Sequence, residues 1–370
     1  MPPLVPTMNL AAHLGRGMQR IATDAVVGPI RALPRRVADL DAAYLSTLMA
    51  TPVESVQVIG GDAGTSSRAL LRLTGPAVPE TVFVKMAAET AATRLMGELG
   101  RLGHTEVRFY RELAPHLSDV PACHGGEFDA LTGRFVLVLE DLGEGGPCEF
   151  PDTLHPISTD QAALIVELLA RVHATFWGKA DNYRWVYSAS GDATSLLTGA
   201  LAGASVKRLA GRTDIPVESG RFIIENYRAA ATLIDRSPTT VMHGDAHPGN
   251  VYFRNGKAGL LDWQAVRKGH PCRELSYTLI TGMTTAERRA HQRDLLDVYR
   301  GALSAAGGPA LDRENLWDRY RQGATYAYVA TLITAGMGGM QDDTIALEGL
   351  ARSVAALQDL DTVSQLQRYL

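Results

Sequence analysis

The chain has 370 residues, of which 46% are apolar and 21% are charged, and its formal net charge at pH 7 is −4. One compact core rarely holds so many residues, so we expect two lobes. The slightly acidic balance excludes proteins that bind nucleic acids or anionic membranes through a broad basic surface.

The three cysteines, Cys123, Cys148 and Cys272, form no CxxC pair, which indicates neither a disulfide framework nor a thiolate zinc site and fits a cytoplasmic protein. The N-terminal segment lacks the pattern of a secretory signal. Residues 322–341 are uncharged and as long as a membrane span, but Gly, Thr, Gln and Tyr dilute them, so we predict a buried helix. We expect no membrane, nucleic-acid or obligate protein partner.

The first part of the chain predicts a helical extension followed by a β-rich lobe. Residues 1–50 are helical in pattern, and Asp39 and Asp41 lie near a helix start. Residues 51–142 form the β-rich lobe. Its predicted elements are strands 53–59, 68–75, 81–86 and 134–142, a glycine turn between the first two strands, and a helical stretch over 87–117.

The second part, residues 143–370, predicts a helical lobe. A Gly- and Pro-rich linker at 143–156 precedes an amphipathic helix over 160–177 that opens near Asp160. A mostly helical stretch over 181–238 leads to a short strand, a loop and a two-stranded unit with its turn at Asn255-Gly256. Helices fill the remainder, so the predicted fold class is α+β, with a cleft between the lobes.

The most specific motif is HGDAHPGN, residues 243–250. An aspartate followed five positions later by an asparagine, in a loop bounded by strands, is the spacing of a kinase catalytic loop. Phosphoryl transfer needs a carboxylate that orients the attacking hydroxyl and accepts its proton, and Asp245 suits that role. It also needs an oxygen ligand for Mg²⁺, which Asn250 can supply.

A second carboxylate follows in LLDW, where Asp262 ends a short apolar strand twelve residues after Asn250. A carboxylate at a strand end can bridge Mg²⁺ to the β- and γ-phosphate oxygens. Together the three residues predict machinery for phosphoryl transfer from Mg·ATP.

HGDAHPGN and LLDWQ resemble the catalytic core of the aminoglycoside phosphotransferase and choline kinase superfamily, and DWQ and the upstream FYREL are most similar to its ecdysteroid-kinase-like branch. The resemblance covers roughly residues 50–300 in order. It implies a protein-kinase-like fold with two lobes, ATP as donor and a small molecule with a hydroxyl group as acceptor. It also implies Asp245 as the base and Asn250 and Asp262 as the magnesium ligands.

The same resemblance gives roles to residues of the first lobe. Lys85 would pair with the α- and β-phosphates and with a helix glutamate, either Glu106 or, as the alternative, Glu98. The carbonyl of Glu140 and the amide of Leu142 would contact adenine. The glycine turn offers backbone N–H groups that could bind phosphate, and an ordinary turn is equally compatible with its sequence. Its phosphate-binding candidates are Gly64, Thr65, Ser66 and Ser67.

Other polar residues are assigned supporting or acceptor-side positions. His243 resembles the structural histidine of a kinase catalytic loop, and His247 could contact phosphate or acceptor or cap the loop. His173 is expected to be a core histidine. The family often has aspartate where this chain has Glu274, which puts a supporting interaction in doubt. Trp263, His270, Arg273 and Tyr277 could border the acceptor pocket, and core packing explains the aromatic residues equally well.

Three alternatives remain beside a small-molecule kinase. A metal-dependent hydrolase could use His243, Asp245 and His247, although no HxHxDH or HExxH pattern is present. A nucleotide-binding pseudokinase would bind ATP without turnover. A protein kinase is less favoured, because the chain lacks an HRD-type arginine and the DFG and APE motifs.

Overall fold

The computed structural model of the chain describes residues 4–144, 146–236, 238–339 and 341–370, so the first three residues of the predicted extension lie outside the description. The chain forms two compact units. Unit 1 comprises residues 1–148 together with 262–265, and unit 2 comprises 149–261 together with 266–370. The predicted boundary, at residue 142, differs from this division, and residues 262–265 were not expected in the first unit.

Unit 1 contains a five-stranded antiparallel sheet in the order β1-β2-β3-β5-β4. The strands are β1 Ser55–Ala63, β2 Ser66–Thr74, β3 Thr81–Ala87, β4 Cys123–Phe128 and β5 Phe135–Glu140. The helices are α1 Leu4–Val27, α2 Ala42–Met49, α3 Ala91–Gly100 and α4 Leu102–Glu112. The core of the sheet forms where alternate residues of β2, such as Leu71 and Leu73, turn inward and are buried.

The first hairpin is longer than predicted. The sequence predicts a turn-rich break at residues 60–67, but Gly60–Asp62 continue β1 and pair with β2 after a register shift between Val58 and Gly60. The reversal is confined to Gly64 and Thr65, where the Gly64 N–H donates to the Ser66 carbonyl at 2.9 Å. Glycine does not exclude an edge strand when the neighbouring strand supplies the hydrogen bonds.

The strand β4 was not predicted. Its sequence CHGGEF has two glycines and no alternation of apolar residues, and its strand conformation rests on pairing with β5. A Cβ atom on Gly125 would lie 2.6 Å from the Leu48 carbonyl oxygen of α2, so this close packing requires glycine.

Helix α1 is joined to the rest of unit 1 by a buried carboxylate. Asp24, 2% exposed, accepts hydrogen bonds from Arg134 Nε at 2.6 Å and Nη2 at 2.8 Å, and from Arg94 Nη1 at 2.6 Å. Arg35 approaches the same carboxylate at 3.4 Å. Burial alone would raise the pKa of Asp24, but the hydrogen bond from Arg134 and the charges of the three arginines lower it below its ordinary value.

Unit 2 is predominantly helical and contains two small antiparallel sheets. The strands are β6 Thr240–Met242, β7 Val251–Arg254, β8 Lys257–Leu260 and β9 Arg267–Gly269, and they pair as β6-β9 and β7-β8. The helices are α5 Thr159–Phe176, α6 Ser195–Leu209, α7 Arg221–Glu225, α8 Tyr227–Ile234, α9 Cys272–Gly282, α10 Thr285–Ala305, α11 Arg313–Met337, α12 Asp343–Asp359 and α13 Thr362–Gln367.

Local sequence explains several of these boundaries. Helix α5 begins in a capping box made by Ser158 and Gln161, two residues before the predicted start near Asp160. The β7-β8 hairpin turns at Asn255 and Gly256, as predicted, and both have positive φ, 53° and 71°.

The uncharged stretch 322–341 is largely contained in α11, which packs against α9 inside unit 2. Among the helices that the structure describes, none is long and apolar enough to cross a membrane.

The structure confirms the predicted fold class: α+β, with a small antiparallel sheet in the N-terminal unit and a larger helical unit after it.

Candidate active site

The HGDAHPGN segment of unit 2 forms a loop between β6 and β7 that includes a short 3-10 turn at Pro248–Asn250. His243 is fully buried and donates from Nε2 to the Leu261 carbonyl at 2.9 Å, while its Nδ1 accepts from the Asp245 N–H at 3.2 Å. Both ring nitrogens are therefore engaged in holding the loop. This geometry matches a structural role for His243.

Asp245 and Asn250 contact each other in this loop. Asn250 Nδ2 donates to the Asp245 carbonyl at 2.9 Å and lies 3.4 Å from Asp245 Oδ2. The amide nitrogen is thus engaged with Asp245, and the amide oxygen is the atom that could serve as a metal ligand. The Asp245 side chain is 33% exposed, so its carboxylate can be reached by a substrate.

A buried glutamate of α9 holds the backbone of the same loop. Glu274 Oε1 accepts from the Gly244 N–H at 2.7 Å, and Oε2 accepts from the His243 N–H at 3.3 Å. Oε2 also lies 2.9 Å from Nε2 of His173, which is fully buried as predicted. Burial opposes ionisation, but the hydrogen bond and charge of His173, followed by His243 and the Gly244 N–H, lower the pKa of Glu274. Glu274 thus supports the backbone of the loop, although the family often has aspartate at this position.

Unit 1 contains a buried lysine between two carboxylates. Lys85 of β3, 4% exposed, has its Nζ 2.5 Å from Asp262 Oδ1 and 2.7 Å from Glu106 Oε2 of α4. Burial would lower the pKa of Lys85, but the charges of Asp262 and Glu106 outweigh it and raise the pKa. Burial raises the pKa of Glu106, as does the charge of Asp262, while Lys85 opposes the rise. Glu98 instead pairs with Arg20 at 2.8 Å, so the partner of Lys85 is Glu106.

Asp262 has a left-handed backbone conformation, with φ at 63°. That conformation is uncommon for a residue with a side chain, and such residues concentrate at functional sites. The next residue, Trp263, is 1% exposed and stacks on Phe109 of α4 with ring centroids 4.0 Å apart. Its burial favours packing over contact with an acceptor, and the stacking fixes the segment that carries Asp262 against α4.

The remaining candidates of unit 1 lie on the sheet. Gly64 and Thr65 form the exposed tip of the first hairpin, whereas Ser66 and Ser67 belong to β2 and are buried. At the other end of the sheet, Glu140 closes β5, its N–H donating to the Ala122 carbonyl at 2.8 Å, and Leu142 follows, 8% exposed. The hairpin tip therefore offers two exposed residues of the four proposed for phosphate.

Three further candidates of unit 2 differ in accessibility. His270 is 2% exposed, and its Nδ1 accepts from the Cys272 N–H at 3.2 Å. Burial lowers the pKa of His270 to about 3, so it is neutral. Arg273 is buried and pairs with Asp235 at 3.1 Å. Burial favours supporting positions for both, whereas His247, with a side chain 17% exposed, caps the loop through the Gly249 N–H.

Two tyrosines near Asp245 have contacts that the sequence did not indicate. The Tyr277 hydroxyl donates to Asp245 Oδ1 at 3.1 Å, and the Tyr326 hydroxyl donates to the Gly244 carbonyl at 2.6 Å. They come from α9 and α11, 32 and 82 residues away along the chain. Both lie far from HGDAHPGN in the sequence, so only the fold brings them to the loop.

Comparison with solved structures supports the architecture. A candidate aminoglycoside phosphotransferase from Ralstonia eutropha JMP134 superposes with a TM-score of 0.52 at 15% identity, over 85% of this chain and 93% of the other. A choline/ethanolamine kinase family protein from Mesorhizobium loti gives 0.50 at 13% identity, over 88% and 98%. An aminoglycoside 2′-phosphotransferase IIIa in complex with GDP gives 0.51 at 12% identity, over 84% and 92%. At these identities the likeness concerns the fold, which is kinase-like.

No curated protein sequence gives a significant match to this chain. A family match exists, however, and it covers residues 59–321, which include β2, β3, the HGDAHPGN loop, Asp262 and α9. The matched region is well over half of the 370 residues. On this ground the chain belongs to the phosphotransferase enzyme family.

Proposed function

We propose that the protein is an ATP- and Mg²⁺-dependent kinase that phosphorylates a hydroxyl group of a small molecule. The observation that carries the proposal is the buried Lys85, held within 2.7 Å of both Glu106 and Asp262 in a member of a phosphotransferase family. Burying Lys85 and Glu106 beside the partly exposed Asp262 costs desolvation energy, and such ionisable clusters concentrate at functional sites. Phosphate binding beside a metal carboxylate is a function that such a cluster can serve.

The residues fit a magnesium ion by their chemistry. Mg²⁺ prefers hard oxygen ligands and usually takes one or two carboxylates together with phosphate oxygens and water. Asp262 supplies a carboxylate oxygen. Asn250 supplies an amide oxygen, while its amide nitrogen donates to the Asp245 carbonyl. When bound, the ion would neutralise charge on the phosphates.

In this mechanism Asp245 orients the acceptor hydroxyl and accepts its proton, while Lys85 binds the phosphates. Gly64 and Thr65 would add backbone N–H groups at the hairpin tip, with Ser66 and Ser67 behind them, and Glu140 and Leu142 would hold the base. The rate enhancement comes mainly from positioning and charge neutralisation. The GDP bound to the 2′-phosphotransferase makes a guanine nucleotide a second donor to be tested beside ATP.

Finer assignments belong to the same proposal. The DWQ and FYREL segments favour the ecdysteroid-kinase-like branch, the acceptor is a small alcohol, and the protein acts in the cytoplasm without nucleic acid, membrane or an obligate protein partner. The metal-dependent hydrolase is disfavoured because both ring nitrogens of His243 already bond within the loop. A pseudokinase remains the rival that experiment must exclude.

The proposal is tested by ADP release from purified protein against a panel of hydroxyl compounds, with ATP and GTP as donors. Asp245→Asn should retain nucleotide affinity and lose turnover by roughly 10²–10⁴-fold. Asp294→Asn, which changes an exposed carboxylate of α10, is the matched control and should behave as wild type. If the Asp245 variant turned over as fast as wild type, the assignment of Asp245 as the base would be wrong. If wild type bound ATP tightly without any turnover, the pseudokinase would be favoured.

Whether Asn250 and Asp262 share one ion can be tested separately. Calorimetric ATP titrations of Asn250→Ala, Asp262→Ala and the double variant, with and without Mg²⁺, should show that each single change removes most of the metal-dependent gain in affinity. The double variant should add little to either. Additive losses would place the two residues in separate environments.

A further inference from the structure

We propose that Tyr277 is a positioning residue for Asp245: its hydroxyl holds Oδ1 of the carboxylate and thereby fixes the orientation in which the carboxylate meets the acceptor hydroxyl. This inference rests on the proposed function, because it names the residue that orients the proposed base. It assigns Tyr277 no contact with the nucleotide. Four features of unit 2 support it.

The first feature is the face that α9 turns toward the catalytic loop. Glu274, Tyr277 and Thr278 stand at positions i, i+3 and i+4 of this helix and therefore lie on one side of it. Glu274 accepts from the N–H groups of residues 243 and 244, and Thr278 Oγ1 donates to the Ala246 carbonyl at 2.7 Å. Two of the three side chains thus bind loop backbone, and Tyr277 alone among them reaches the Asp245 carboxylate.

The second feature is the packing of the Tyr277 ring, which is 7% exposed. It meets the Tyr326 ring edge-on, with centroids 5.0 Å apart at 66°, and the His247 ring at 6.3 Å and 80°. Tyr326 is itself fixed by its hydrogen bond to the Gly244 carbonyl and by the Arg273 guanidinium, 5.1 Å from its ring. A ring held from two sides has little freedom to move its hydroxyl away from Asp245.

The third feature is the difference between the two Asp245 oxygens. Oδ1 receives the Tyr277 hydrogen bond at 3.1 Å, whereas Oδ2 lies 3.4 Å from Asn250 Nδ2 and 3.9 Å from His247 Nε2. The Tyr277 contact is the shortest of these three, and it comes from a side chain outside the loop. Tyr277 is therefore the residue that we assign to holding the carboxylate.

The fourth feature is that the Tyr277 hydroxyl keeps its proton. Burial, followed by the negative charge of Asp245, raises the pKa of Tyr277 well above its ordinary value. The hydroxyl therefore stays protonated, and can donate to the carboxylate, throughout the pH range in which enzymes work. Phenylalanine at this position would keep the ring packing and remove only the donor.

The kinetic test compares Tyr277→Phe with wild type in the ADP-release assay, using whichever acceptor the wild-type protein accepts. Removing a hydrogen bond to a charged group should lower kcat by about 10- to 100-fold. KM for ATP should stay within about twofold, since Tyr277 makes no proposed contact with nucleotide. Tyr320→Phe is the matched control: Tyr320 is fully buried in α11, and its hydroxyl has no hydrogen-bond partner among the described residues. It should leave kcat unchanged.

A second measurement does not depend on turnover. Thermal unfolding of Tyr277→Phe is compared in the wild-type and Asp245→Ala backgrounds, and the two shifts in Tm should differ by about 2 °C or more, because the removed hydroxyl has its partner in only one background. Equal Tm shifts, or an unchanged kcat, would overturn the inference. If wild type itself shows no acceptor-dependent turnover, the proposed function fails, and the Tm comparison still decides whether Tyr277 holds the Asp245 carboxylate.

Discussion

The buried carboxylate of Asp24 provides a sharp test of how unit 1 is held together. In Asp24→Asn the side-chain volume is kept, but Arg94 and Arg134, whose side chains are 5% and 6% exposed, lose their counter-charge. Removing one partner from a buried ion pair typically costs about 3–5 kcal/mol of unfolding free energy. We expect a loss in that range, since the substituted amide also directs N–H groups at one of the guanidinium groups.

The same carboxylate predicts a pH dependence. Because the pKa of Asp24 is lower in the folded protein than its ordinary value of 3.8, the unfolded chain binds the proton more tightly. The contribution of Asp24 to the unfolding free energy is therefore fully present above about pH 4, and it is lost as the pH falls through the pKa that Asp24 has in the folded protein. The difference in unfolding free energy between wild type and Asp24→Asn should shrink accordingly between pH 7 and pH 3.

Urea unfolding of both proteins at several pH values measures these quantities. Glu80→Gln is the matched control, because Glu80 is an exposed acid of unit 1 that lies 3.8 Å from Arg72. Exposed pairs contribute about 0–1 kcal/mol, so this variant should unfold almost as wild type does. A loss below about 1 kcal/mol for Asp24→Asn, or a difference that does not change with pH, would refute the account of the buried cluster.

Three further predictions concern the packing around the sites. Gly323→Ala should destabilise unit 2 by about 1–3 kcal/mol, because the added Cβ would lie 2.5 Å from the Cys272 carbonyl oxygen. Gly301→Ala is the control: its added Cβ would stand in open space on α10 and should stabilise the protein by up to about 1 kcal/mol. Thermal unfolding of both variants measures the two effects. Glu274→Ala should lower both Tm and turnover, while Glu274→Gln should recover part of each through its remaining acceptor oxygen; recovery by neither would exclude the loop contacts. Glu106→Gln should weaken ATP binding in calorimetry, whereas Glu98→Gln should not, because the carboxylate beside Lys85 is that of Glu106.

Features with a local signal were predictable from the sequence. The β7-β8 hairpin was recognised because Asn255-Gly256 is a turn dipeptide, and β3 because its β-branched residues precede Lys85. The HGDAHPGN loop carries its spacing within eight residues. In each case the residues that set the local conformation are neighbours in the chain, so the pattern can be read without the fold.

Features that depend on distant partners were not predictable. Strand β4 has a sequence typical of a loop and forms because β5 supplies its hydrogen bonds. Asp24 lies in an unremarkable helical stretch, and the two buried arginines that bind it, Arg94 and Arg134, are 70 and 110 residues away. Tyr277 was a candidate for the acceptor pocket, but its hydrogen bond to Asp245 appears only in the fold.

This contrast bears on how a phosphotransferase is distinguished from an inactive relative. The candidate base, lysine and metal ligands can all be read from short motifs, but the orientation of Asp245 depends on Glu274, Tyr277 and Tyr326, which lie outside HGDAHPGN and LLDW. A chain could therefore retain HGD-x4-N and lose turnover through one buried substitution on α9. Because Tyr277→Phe keeps every residue of that motif, its kcat would measure how much of the activity depends on the supporting residues of α9 and how much on the motif itself.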